Sequence, residues 1–316
     1  MKKIIVIGEI LVEIMADTVG EGFLQPQSLS GPYPSGASAI FADQAARLGQ
    51  PVAIVSSVGN DDFGHLNLDR LKRDGVDVDG VHVDPDRPTG SAFVRYRSDG
   101  SRDFVFNIRH SAAGTLHVSD AARDILDVAD HIHVTGSSLS IPDFAEFNIE
   151  TAGAIRARSG TVSFDPNLRK EMLSAPGLAD AMTRMIGLTD LFLPSGDELT
   201  LLTDAQDPQG AVAELFRRGV TAVVHKHGAG GAHYHDRERR FSVDAFAVKE
   251  LDPTGAGDCF GATFTALWLR GAPPRSALET AAASGALAVT RRGPMSGAAD
   301  LPTLERFVLD HDQAVR

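Results

Sequence analysis

Residues 38–75 read SAIFADQAARLGQPVAIVSSVGNDDFGHLNLDRLKRDG. An alanine-rich amphipathic stretch closes at Gly49, a β-branched run at 52–59 follows, and a second amphipathic stretch closes at Gly75. Apolar residues at helical spacing thus alternate with short apolar runs of strand length, which predicts βαβ units around a mostly parallel sheet. The rhythm continues in both directions. KKIIVIG at 2–8, HIHVTG at 131–136, TVSFDPN at 161–167, LFLPSGDEL at 191–199 and AVVHKHG at 222–228 read as further strands. Right-handed crossovers place the carboxyl ends of such strands on one edge, where open α/β sheets bind their ligands. Residues just after each strand are therefore the functional candidates.

Two stretches interrupt the rhythm. Residues 11–33 contain LVEIMADT and then a Gly/Pro/Ser-rich segment, and residues 89–107 read TGSAFVRYRSDGSRDFVFN. Apolar positions alternate on both sides of Ser98-Asp99-Gly100-Ser101, the chemistry of a hairpin turn. These pieces predict a small β-sheet lid over the ligand edge of the main sheet. No internal repeat or long linker is evident, so residues 1–316 read as one domain.

The composition narrows the class. With 316 residues, 43% apolar and 23% charged, the chain can bury a large core. No apolar run is long enough for a bilayer, so no membrane partner is expected. The opening MKKIIVIGEILVEIM has the lysines and apolar run of a signal peptide, but Glu9 and Glu13 interrupt it and no small-residue cleavage site follows. A buried first strand is the expectation. The single cysteine, Cys259, excludes an internal disulfide, no Cys/His spacing suits zinc, and a reducing, cytoplasmic compartment fits. A net charge of −12 argues against nucleic-acid binding but leaves a nucleotide open, because backbone amides and a helix N-terminus can hold a small anion whatever the overall charge.

The strongest chemical signal is Asp252-Pro-Thr-Gly-Ala-Gly-Asp258-Cys-Phe-Gly261, which leads into the apolar run ATFTALWLRG. Gly255, Ala256 and Gly257 are small enough for a phosphate to approach the backbone, and the helix after them points its first N–H groups at that phosphate. Asp258, in the first turn, is placed to accept a proton from a substrate hydroxyl. Phosphoryl transfer asks for little more than positioning and charge neutralisation. A glycine-rich turn with an aspartate near a helix start is also a common structural device.

The segment DPTGAGDCFGA resembles the C-terminal signature of the ribokinase-like (PfkB) carbohydrate kinases. Further matches follow in order along the chain. Gly8 to Glu13 resembles the first strand with its sugar-contacting acid, Ser35-Gly36-Ala37 with the helix ending Arg47-Leu48-Gly49 resembles the N-terminal signature, and Val58 to Gly64 resembles the segment after it. Asp165-Pro-Asn-Leu-Arg169, Ser195-Gly-Asp-Glu198 and Lys226 to Gly231 fall where the family has its phosphate, magnesium and nucleotide segments. The resemblance implies a three-layer αβα sandwich with a β-sheet lid, its ATP-binding part mainly at 160–316, and an ATP- and magnesium-dependent sugar kinase with Asp258 as base.

The resemblance also implies a role for each matching residue. Gly255, Ala256, Gly257 and Arg169 would meet the transferred phosphoryl group. Glu13, Gly36, Asn107, Arg109 and Arg169 would face the sugar. Ser195, Lys226, Gly228 and Gly231 would line the nucleotide, while Asp165, Asn167 and Glu198 would order magnesium through water. A potassium ion near oxygens of Asp252, Thr254, Ala288 and Gly293 is a further implication. Several of these residues have a plain alternative: Glu198 suits the first turn of a helix capped by Ser195, and Lys226 suits an ordinary surface position. His131 and His133 lack a third metal ligand and read as satisfied strand histidines. The pattern departs from the family mainly around the sugar: Ile40 stands at an asparagine position, Glu13 at an aspartate position, and Asn107 where ketodeoxygluconate kinases often have tyrosine. A ketohexose such as tagatose or fructose is the expected substrate, followed by 2-keto-3-deoxygluconate, then ribose or a nucleoside. A sugar sensor without turnover is the non-enzymatic alternative, and unpaired lid edges suggest a homodimer.

Overall fold

A computed structural model describes residues 1–314 apart from 21, 100, 169–172 and 174. The strands, in chain order, are β1 (Ile4–Ile7), β2 (Leu11–Ala16), β3 (Leu29–Ser35), β4 (Val52–Gly59), β5 (Val81–Asp84), β6 (Gly90–Tyr96), β7 (Arg102–Asn107), β8 (His131–Thr135), β9 (Thr161–Asp165), β10 (Leu191–Phe192), β11 (Ala222–Lys226), β12 (Ala232–His235) and β13 (Arg240–Val243). The large sheet has the order β13-β12-β11-β10-β9-β8-β1-β4-β5, parallel from β11 to β5 with an antiparallel edge formed by β12 and β13.

The strands are apolar throughout because both faces are covered. Ile5, Ile7, Val55, Ile132 and Phe164 pack with the helices Pro142–Ala157 and Leu178–Ile186, while Ile4, Val6, Val52 and Ile54 pack with Ala37–Arg47 and Ala256–Leu269. Side chains alternate across a strand, so one run feeds two cores and three layers result. The opening run is not one strand. Ile4–Ile7 joins the large sheet, and after Gly8-Glu9-Ile10 the chain enters a second sheet at Leu11. This small sheet has the order β3-β2-β6-β7, and its hairpin pairs Tyr96 with Arg102, as the turn chemistry at 98–101 predicts.

His131 and His133 show how the main sheet absorbs polar side chains. His133 meets Phe41 of the helix Ala37–Arg47, and His131 meets Trp268 of the helix Ala256–Leu269. His131 bonds the hydroxyls of Thr161 and Ser163 at 2.8 Å each, and His133 bonds Ser163 at 2.8 Å while its ring stacks on Phe41. Burial holds His133 well below the usual histidine range and pushes His131 down to about 3. Both rings are neutral in the folded protein and take up a proton only on unfolding, so their contribution to stability is complete above pH 6.5 and is lost as pH falls toward 3. Between pH 7.5 and 5.5 the wild type should lose about 1.4 kcal/mol more unfolding free energy than a His131→Asn variant. Urea titrations at the two pH values check this, and equal losses would mean that the His131 ring titrates in the fold as it does in the unfolded chain.

Candidate active site

The carboxyl edge of the parallel strands carries Glu9, Ser137, Asp165, Asn167, Ser195 and Lys226, each just past or at the end of its strand. The helix Ala256–Leu269 points its N-terminus toward the same edge. Its N-cap, Gly255, has φ +81°, and a Cβ there would stand 2.4 Å from the Pro294 carbonyl oxygen, so only glycine makes this turn. Among the described residues no side chain caps the helix, which leaves its first amides available to an anion. Asp258, in the first turn, is mostly buried, and Asn167 Nδ2 donates to its Oδ1 at 3.2 Å. Asn167 occupies the left-handed region at φ +40°, which asparagine tolerates better than most residues.

Behind this turn sits a buried charge cluster. Lys226 Nζ pairs with Asp165 Oδ2, and both side chains are almost fully enclosed, so Lys226 is not the surface lysine that its loop-end position allowed. Glu198 accepts hydrogen bonds from the Leu168 amide at 2.7 Å and the Ser195 amide at 2.6 Å. Burial raises its carboxyl above the usual range, and the neighbouring Asp165 charge adds to the rise. Glu198 therefore ties together the loops that follow β9 and β10. Ser195 does not cap the short helix Glu198–Leu201: its N-cap is Asp197, and Ser195 instead bridges to Lys226 through the backbone. Gly228 lies in an exposed turn after β11, and Gly231 closes that turn at the start of β12. Arg169 lies outside the described residues.

In front of Asp258 opens a cavity of about 660 Å³, lined by Glu13, Gly36, Ile40, Arg109, Asn167, Thr254 and Gly255 among others. Gly36 starts the helix Ala37–Arg47 with φ +109°, and a Cβ there would stand 2.4 Å from the Glu9 carbonyl oxygen. Ile40 lines the wall at the asparagine position and packs against Gly255, giving an apolar contact in place of a polar one. Asn107 is not among the residues of this wall. It lines a second cavity with Asp62 and His110, and donates weakly to Ser91 Oγ at 3.4 Å. Phe104 and Phe106 of β7 line the first cavity, and Phe106 and Arg109 line the second as well, so the two cavities adjoin where this strand ends.

Glu9, Phe104 and Phe106 are among the wall residues that escaped the sequence reading. Glu9 accepts from Ser137 Oγ at 2.7 Å, from the Ala37 amide at 3.1 Å and from Ser38 Oγ at 3.4 Å, and burial pushes its carboxyl up. Its place immediately after β1 marked it by the strand-end rule. Phe104 and Phe106 were marked by their spacing of two on a hairpin strand, once the hairpin's inner face is known.

Asp252 is buried beside this cavity. Its carboxylate accepts from Tyr96 Oη at 2.7 Å, the Thr254 amide at 3.0 Å and the Gly293 amide at 2.8 Å, tying the turn, the 290s loop and the small sheet together. Ala288, at the end of the helix Pro274–Val289, is buried close by.

A carboxylate at the mouth of a helix whose first turn has no side-chain cap, on the floor of a cavity of about 660 Å³, is an arrangement suited to phosphoryl transfer to a hydroxyl group. Residues 1–301 match the model of the pfkB family carbohydrate kinases, and the chain belongs to that family. It is 32% identical to the 2-dehydro-3-deoxygluconokinase of Thermoproteus tenax, over 93% of this chain and 90% of that protein. It is equally 32% identical to the Arabidopsis thaliana protein named Probable fructokinase-7, over 92% and 88%. Among solved structures it resembles an E. coli protein assigned as Ribokinase II, in complex with ATP and Mg2+, with a TM-score of 0.92, 46% identity and coverage of 98% of this chain and all of the other. The fold is ribokinase-like, and the enzyme phosphorylates a sugar hydroxyl.

Proposed function

We propose that the chain transfers the γ-phosphoryl group of ATP to a primary hydroxyl of a ketohexose such as fructose or tagatose. The observation that carries this reading is the placement of Asp258 at the cavity floor, beside Asn167 and the Gly255 turn. Asp258 accepts the hydroxyl proton as the oxygen attacks, and the amides of Gly255, Ala256 and Gly257 receive the phosphoryl oxygens. Glu13, Gly36 and Arg109 orient the sugar, with Arg169 assigned to the phosphoryl group and the substrate by resemblance.

The residues fit the remaining groups. Lys226, Gly228, Gly231 and Ser195 border the nucleotide at the β10 and β11 ends, where the turn at Gly228 has open space above it. Asp165, Asn167 and Glu198 would be the residues to hold magnesium through water, since that ion keeps much of its hydration shell. When bound, it neutralises charge on the phosphates. Potassium would be held, by resemblance, at oxygens of Asp252, Thr254, Ala288 and Gly293, close to where the buried Asp252 carboxylate meets a hydroxyl and two backbone amides. The small sheet acts as a lid that excludes water, and its exposed edge residues Leu29 and Val105 favour pairing of two copies there.

A neutral sugar is favoured by the charge of the wall. Among the described lining residues Arg109 is the one cation, facing Glu9, Glu13, Asp143 and Asp258. A 2-keto-3-deoxy acid is the second reading, because Arg109 can meet a carboxylate and one relative carries that activity in its name. A panel of fructose, tagatose, 2-keto-3-deoxygluconate and ribose, with coupled ADP detection, decides. The ketohexoses should give the highest kcat/KM by tenfold or more. Preference for the acid would reverse the assignment, and ATP binding without ADP formation on any sugar would indicate a sensor.

A further inference from the structure

The small sheet touches the catalytic turn as well as the sugar cavity. Tyr96, at the end of β6, donates to Asp252 Oδ1 at 2.7 Å, and Arg102, its cross-strand neighbour at the start of β7, donates from Nη1 to Thr254 Oγ1 at 2.9 Å. Burial and the Asp252 charge push the Tyr96 hydroxyl up from its ordinary value, so it remains a donor. Tyr33 of β3 packs on Gly293, whose amide is bound to the same carboxylate.

The strand period connects these contacts to the substrate. Arg102, Phe104 and Phe106 lie at spacing two and share one face of β7; the first holds Thr254 while the other two wall the cavity. The Arg102 guanidinium also lies over the Phe104 ring, 5.8 Å from its centroid. The two phenylalanines that wall the cavity and the side chain that grips the turn thus belong to one face of one strand. Thr254 is followed directly by Gly255, the N-cap whose geometry sets the direction of the anion-binding amides.

We infer that Tyr96 and Arg102 are positioning residues: they hold the 252–257 turn from the small sheet, so that the hairpin walling the sugar cavity also sets the shape of the phosphoryl cradle. The inference rests on the reading of this cavity as the sugar site. It predicts that loss of either contact slows the chemical step more than it weakens sugar binding, since the sugar's own wall is left in place.

The test uses Tyr96→Phe, which keeps the ring, with Arg102→Gln and its conservative partner Arg102→Lys. kcat and KM are measured for the best sugar and for ATP, together with thermal melting and amide hydrogen exchange of the 252–258 segment. Tyr96→Phe and Arg102→Gln should each lower kcat tenfold or more, change the sugar KM less than threefold, melt near the wild type and exchange faster in 252–258, with Arg102→Lys recovering part of the loss. A kcat within twofold of wild type, unchanged exchange, or a loss confined to the sugar KM would overturn the inference. Should the wild type phosphorylate none of the sugars, the reading of the cavity fails, while the exchange measurement still decides whether these contacts hold the turn.

Discussion

Replacing Asp258 by asparagine should lower kcat by about a hundredfold or more while the protein melts close to the wild-type temperature. The substitution keeps the volume and leaves an oxygen for the Asn167 amide, which donates to Oδ1 at 3.2 Å, so packing and local bonding change little. What disappears is the capacity to take a proton, and proton transfer by a positioned base typically contributes about a hundred- to ten-thousandfold. The sugar KM should move far less, since Glu13, Gly36 and Arg109 remain on the wall. Steady-state kinetics with an ADP-coupled assay, beside a thermal melt, checks both parts. Turnover within tenfold of wild type in a folded variant would remove Asp258 from the role of base, and with it the central step of the mechanism.

Lys226→Met is expected to have the largest effect on stability. Lys226 and Asp165 form an ion pair with both side chains enclosed, and the Glu198 carboxyl lies near enough for the Asp165 charge to raise it. Removing the ammonium leaves an uncompensated buried aspartate beside a second acid, and breaking such pairs costs about 3–5 kcal/mol. Urea unfolding should show that loss, and the double variant Asp165→Leu with Lys226→Met should recover more than half of it, because removing both charges of a buried pair is far less costly than removing one. A single-variant loss below about 1 kcal/mol would mean that water reaches the pair or that Asp165 sheds its charge at little cost. The loop Asp165-Pro-Asn167 starts at this pair, so its disturbance should reach Asn167 and the carboxylate that Asn167 bonds.

Much of the site could be read from local pattern. The rhythm of 38–75 gives strand β4 between the helices Ala37–Arg47 and Asp62–Asp74, and the structure places them there. The turn before Asp258 is likewise a local matter: a glycine with positive φ, small neighbours and an apolar helix behind them are written in consecutive residues. That Asn107 lines the adjoining cavity was not legible, because a side chain's surroundings on a hairpin strand depend on register and on what packs over it. Lys226 could not be distinguished from a surface lysine because its partner, Asp165, is 61 residues away.

The sequence by itself thus determined the layered α/β class, the edge on which the strands end, and the turn that carries Asp258 at a helix start, because each follows from periodicity or backbone chemistry within a few consecutive residues. The tertiary structure decided which charges are buried together, which side of the hairpin meets the cavity, and that Tyr96 and Arg102 reach Asp252 and Thr254 across separations of 156 and 152 residues. Contacts of that kind depend on how two sheets sit against each other, and no local preference of either segment encodes it.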